Sequence, residues 1–106
     1  SAKIGTPVKC TGDGVVLKAQ FDARFGNFIE IDHGYGYKTV YAHLKDGLLV
    51  SKGDKVKRGQ SIGYLGNTGR STAPHLHYEV KYKNKTENPR KFYTYDKKLE
   101  ELIYYR

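Results

Sequence analysis

Asn67-Thr-Gly-Arg-Ser-Thr-Ala-Pro74-His75-Leu-His77-Tyr-Glu79-Val80 is a polar, glycine-bearing loop that runs through a proline into two histidines one residue apart. Residues i and i+2 of a β-strand share a face, so His75, His77 and Glu79 point one way and Leu76, Tyr78 and Val80 the other. That alternation marks a half-buried strand, and Pro74 fixes the backbone where the loop meets it. Two imidazoles aimed into one space are the start of a metal site, because neutral histidine is a common zinc ligand. A lone pair of this kind is more often a pair of hydrogen-bonded structural histidines, so its meaning depends on the rest of the chain.

A length of 106 residues suits one domain with one core. Ten tyrosines, four phenylalanines and twelve glycines, with no tryptophan or methionine, favour strands joined by tight turns and hence an all-β domain. No apolar run approaches the ~20 residues needed to cross a bilayer, and Ser1-Ala-Lys-Ile-Gly5 lacks the apolar centre of a secretory signal, so no transmembrane segment is expected. Nineteen Lys and Arg against eleven Asp and Glu give a net charge of +8, which attracts polyanions. The basic residues are scattered through 52–58, 81–85 and 90–98 without a recognisable nucleic-acid module, so most are expected on solvated faces and no nucleic-acid partner is expected. Cys10 is the only cysteine, which rules out an intrachain disulfide.

Along the chain, Gly12-Asp-Gly14 is a turn signal, followed by a strand over 15–20; together they suggest an opening hairpin. Asn27-Phe-Ile-Glu-Ile-Asp32 alternates apolar and polar residues, Gly34-Tyr-Gly36 reverses the chain, and 38–42 runs back to deliver His43 at its end. Residues 48–66 alternate glycines with short apolar pieces, including Leu48-Leu-Val50 and Ser61-Ile-Gly-Tyr-Leu65, and predict short curved strands. Asn84 to Asn88 is a loop stopped by Pro89. Beyond it Asp96 can cap a short C-terminal helix in which Leu99, Leu102 and Ile103 recur at helical spacing. His33 shares the parity of Ile29 and Ile31 beside a turn and is expected to be a hydrogen-bonded structural residue.

Four segments in order resemble the lysostaphin-like (LytM-type) zinc endopeptidases that cut bacterial peptidoglycan. They are Gly5-Thr-Pro-Val8; Ile31-Asp-His-Gly34 through Tyr41-Ala-His43-Leu44; Gly53-Asp54 through Gly59-Gln60; and Gly66-Asn-Thr-Gly-Arg-Ser-Thr72 through His75-Leu-His77. The resemblance implies a two-sheet antiparallel β-sandwich with an open groove, of duplicated hybrid motif type. It also implies zinc as cofactor, a peptidoglycan peptide as substrate, and a bacterial, extracytoplasmic location in the periplasm or cell envelope. Position by position it makes His77 a zinc ligand and His43 and His75 the unliganded catalytic pair, one taking a proton and the other stabilising the oxyanion, with the assignment between them open. The family's other two ligands come from a His-x-x-x-Asp motif just before the segment matching Ser1 to Val8. The resemblance therefore implies that 1–94 is the C-terminal portion of a complete peptidase domain, followed by a tail at 95–106, with the N-terminal portion of the same protein as partner.

Other readings stay open at the level of sequence. His43, His75 and His77 together could form a three-histidine zinc site. A non-catalytic cell-wall-binding or amidase-activating domain with a degenerate metal site is the alternative function. A biotinyl or lipoyl carrier shares only the pattern of Val50 to Gly63 and lacks a lysine in a suitable hairpin turn. Asn67, Thr68, Arg70, Ser71 and Thr72 suit substrate contacts and loop-backbone hydrogen bonds about equally. Glu79 can orient an imidazole or pair with one of the many lysines.

Overall fold

The computed structural model describes residues 3–68 and 76–87, and within them the chain is all-β. Eight strands occur in order: β1 Pro7–Lys9, β2 Gly14–Asp22, β3 Gly26–Gly34, β4 Tyr37–Leu44, β5 Lys55–Val56, β6 Ser61–Tyr64, β7 His77–Tyr82 and β8 Lys85–Glu87. They make a six-stranded sheet in the order β5-β2-β3-β4-β7-β8 and a two-stranded sheet of β1 and β6, every pairing antiparallel. This is the expected two-sheet architecture. The C-terminal helix expected beyond Pro89, and His75 with loop residues 69–74, lie outside the described residues.

The core fills the space between the sheets. Val8, Cys10, Ile62 and Leu65 come from the small-sheet side and meet Val16, Ile29, Ile31, Tyr41, Leu76, Tyr78 and Val80 from the large sheet. Burial of Leu76, Tyr78 and Val80 with partial exposure of His77 and Glu79 is the alternation expected for β7. The opposite face of the large sheet carries a smaller apolar group of Phe28, Val40 and Ala42, with Phe25 packed against it.

The β3–β4 hairpin turns at Tyr35-Gly36, both with positive φ (55° and 86°), the backbone of a turn that matches strand twist. The opening hairpin does not form. β1 pairs with β6, and the Gly12-Asp-Gly14 segment instead carries the chain from one sheet to the other. Cys10 and Thr11 are buried at this crossing, which a solvent-exposed hairpin turn would not allow. Leu48-Leu-Val50 forms no strand; Leu49 makes a single backbone bond to Ile62 O at 3.0 Å.

A buried polar chain ties the crossing to the large sheet. Thr11 N donates to Tyr41 Oη at 3.1 Å, and Thr11 Oγ1 lies 2.9 Å from Tyr41 Oη and 3.0 Å from Tyr78 Oη. Thr39 Oγ1 lies 2.9 Å from the same Tyr41 oxygen and 2.6 Å from His33 Nε2, while His33 Nδ1 donates to Asp13 O at 2.7 Å. His33 is thus the structural histidine expected, with both ring nitrogens engaged. Burial holds its pKa below the ordinary 6.5, the Asp13 carbonyl partly opposing this. A lowered folded-state value means that the unfolded chain binds more protons in the window just below 6.5. His33 is therefore expected to contribute full stability above that window and to lose it as pH falls through the folded value. Urea unfolding between about pH 7.5 and about pH 5 checks this, and His33→Gln should flatten that part of the profile.

Candidate functional site

His43 and His77 meet on the face of the large sheet that points away from the core, their ring centroids 5.9 Å apart and nearly perpendicular. His77 arrives there by simple alternation at the start of β7, opposite Ala42 of β4. His43 does not. In an undisturbed β4 it would share the face of Tyr41, whose side chain is fully buried in the core.

A bulge solves this. Between the pairs Ile29↔Tyr41 and Asn27↔Leu44, β3 uses one residue, Phe28, while β4 uses two, Ala42 and His43. The extra residue takes φ of +61°, a left-handed conformation in which histidine is tolerated but uncommon. Such a backbone costs about 1–3 kcal/mol and persists only where the surroundings over-determine it. Here His43 N donates to Phe25 O at 2.8 Å, and His43 O accepts from Gly66 N at 3.1 Å. The bulge re-aims the imidazole, a frequent use of bulges beside active sites, and returns Leu44 to the core.

Thr68 locks the ring. Its carbonyl lies 2.6 Å from His43 Nδ1. A carbonyl only accepts, so Nδ1 carries the proton and the neutral ring has its lone pair on Nε2. The Thr68 hydroxyl accepts from Asn27 N at 3.0 Å and donates to Leu44 O. Asn27 Nδ2 donates to Leu44 O at 3.2 Å and to Asp46 Oδ1 at 2.7 Å. Of the loop residues with two expected roles, Thr68 thus serves the loop backbone and the imidazole, whereas Arg70, Ser71 and Thr72 lie outside the described residues.

His77 Nε2 lies 2.8 Å from Glu79 Oε1, and the Phe25 ring packs 5.7 Å from the His77 ring. Lys81, the lysine two residues further along the same face, pairs with Glu30 at 3.3 Å instead. Phe25, Asn27 and Asp46 carried no sequence signal, because their roles come from register and not from residue type.

With Nε2 held by a carboxylate, the donor chemistry of His77 fits a zinc ligand coordinating through Nδ1. Among the described residues no cluster of three or more His, Cys, Asp or Glu is placed to hold a metal, so these residues fit one ligand of a set. Among the same residues, no helix is long and apolar enough to cross a membrane.

Residues 1–89 match the sequence profile of Peptidase family M23. Over 88 residues the chain is 51% identical to Peptidoglycan DD-endopeptidase ShyA of Vibrio cholerae, covering 83% of this chain and 20% of that protein. The crystal structure of a zinc containing peptidase from Vibrio cholerae is similar with a TM-score of 0.77 at 49% identity, over 81% of this chain and 26% of the other. The catalytic domain of the antimicrobial peptidase lysostaphin from Staphylococcus simulans gives a TM-score of 0.82 at 36% identity, over 88% and 74% respectively. This chain spans about a fifth to a quarter of the length of the curated relatives it matches.

Gly26 is the tightest contact behind the site. It sits at φ +65°, and a Cβ there would lie 2.4 Å from the Thr68 carbonyl carbon. Gly26→Ala is expected to destabilise the domain by more than about 1 kcal/mol, since both the conformation and the space are incompatible with a side chain. Denaturant unfolding measures that loss, and displacement of Thr68 should appear as a changed His43 imidazole resonance.

Proposed function

The chain belongs to peptidase family M23, and on that premise we propose that it is part of a zinc-dependent endopeptidase that hydrolyses peptide bonds in the stem or cross-link of bacterial peptidoglycan. The observation that carries this reading is the convergence of His43 and His77 on one face, which the chain reaches only through a strained bulge that also returns Leu44 to the core. A bulge retained against its cost suits a site whose chemistry needs the second imidazole. The site of action is the cell envelope outside the cytoplasm, where the polymer lies.

In this reading His77 would hold the metal through Nδ1, and a histidine and an aspartate of the family's His-x-x-x-Asp motif would complete the ligand set. When bound, zinc supplies Lewis-acid polarisation of the scissile carbonyl and lowers the pKa of water towards neutrality. His43 is the general base. Its Nδ1–H is committed to Thr68 O, so Nε2 takes a proton from the attacking water and returns it to the amine nitrogen as the peptide C–N bond breaks. His75, two residues before His77 in the sequence, is the donor to the carbonyl oxygen as negative charge develops there. Phe25, Phe28, Val40 and Ala42 give the floor beside the imidazoles an apolar lining that limits water around the reacting peptide.

Two substitutions separate the roles in the parent polypeptide. His77→Ala is expected to lose both bound zinc and cleavage of purified peptidoglycan. His43→Ala should keep its zinc, measured by atomic emission, while its cleavage rate falls about 10²- to 10⁴-fold, the usual contribution of a general base. Loss of zinc in His43→Ala would instead indicate a three-histidine site. Peptidoglycan left intact by a zinc-loaded wild-type preparation would overturn the hydrolase reading in favour of a wall-binding, amidase-activating domain.

A further inference from the structure

We propose that Glu79 is a positioning residue for the metal ligand: its carboxylate fixes the proton of His77 on Nε2 and thereby presents Nδ1, and only Nδ1, to the cation. The proposal rests on the reading of His77 as a zinc ligand.

A carboxylate only accepts, so the 2.8 Å contact between Glu79 Oε1 and His77 Nε2 requires the proton on that nitrogen. The neutral ring then has one coordinating atom. Both residues lie on the same face of β7, two apart, and β7 is held in register against β4 from Tyr37↔Tyr82 to Ala42↔His77. The register partner of Glu79 is Val40, buried and apolar, which offers its carboxylate no hydrogen bond from its side chain. The lysine best placed to compete, Lys81, is engaged with Glu30. Phe25 packs beside the His77 ring and restricts its rotation. The side chains of His77 and Glu79 remain 34% and 17% exposed, so as an ion pair the contact contributes little to folding. Its consequence is the orientation and tautomer of one imidazole, the role that carboxylates play behind metal-bound histidines.

Histidine ¹⁵N NMR of the metal-free chain reads the tautomer directly. Wild type should show His77 protonated at Nε2, Glu79→Leu should show a mixture of tautomers, and Glu79→Gln should restore the wild-type pattern because its amide oxygen accepts the same bond. Zinc competition against a chromophoric chelator, in the parent polypeptide, should find binding about 10- to 100-fold weaker for Glu79→Leu and near wild type for Glu79→Gln. His77 protonated at Nδ1 in wild type overturns the proposal whatever the cleavage assays give. So does an unchanged tautomer and zinc affinity in Glu79→Leu. Should Glu79→Leu not fold, the wild-type tautomer and Glu79→Gln decide alone. Glu79-dependent zinc binding in a protein that leaves peptidoglycan intact supports this assignment while overturning the hydrolase reading.

Discussion

The site depends on one short span of backbone, Thr68, clamped between two strands. Its hydroxyl bridges Asn27 N and Leu44 O, its carbonyl takes the His43 proton, and its main chain lies so close to Gly26 that no side chain fits there. The left-handed residue at the end of β4 is held from three directions by this span, by Phe25 O and by Gly66 N. Without such bonds the bulge would relax, and His43 would follow the parity of Tyr41 into the core.

The two faces of the large sheet divide the labour. One face is sealed by the small sheet over a core in which even the polar atoms are paired, as in the chain from Thr11 through Tyr41 and Thr39 to His33. Burial pushes the Tyr41 phenol up and the Cys10 thiol up, so both stay neutral and act as packing. The other face carries the imidazoles, a carboxylate and an apolar strip. Among the described residues, a core whose buried polar side chains are all paired is what allows a strained, partly buried arrangement above.

Much of this was legible in the sequence because it depends on period and residue type. The alternation from Leu76 to Val80, the Gly34-Tyr-Gly36 reversal and the structural role of His33 follow from local rules. The opening hairpin failed because a glycine-rich turn signal does not say which strands it joins; burial of Cys10 and Thr11 decided that β1 belongs with β6. The convergence of His43 with His77 could be anticipated from the resemblance to a family and from the three-histidine alternative, whereas simple strand parity sends His43 the wrong way. Phe25, Thr68 and Glu79 acquire their parts from contacts between residues distant in the sequence, such as Thr68 with Asn27 and Phe25 with His77, or from competition among carboxylates for lysines, which composition does not encode.

The strand order carries a consequence for how such a domain matures. β7 docks beside β4, although more than thirty residues of chain separate them, and it brings His77 to a bulge built by the preceding hairpin. No segment ending before Glu79 holds both imidazoles and the carboxylate together. In a chain delivered from its N-terminus, these three side chains therefore come together only once almost all of the described fold is present.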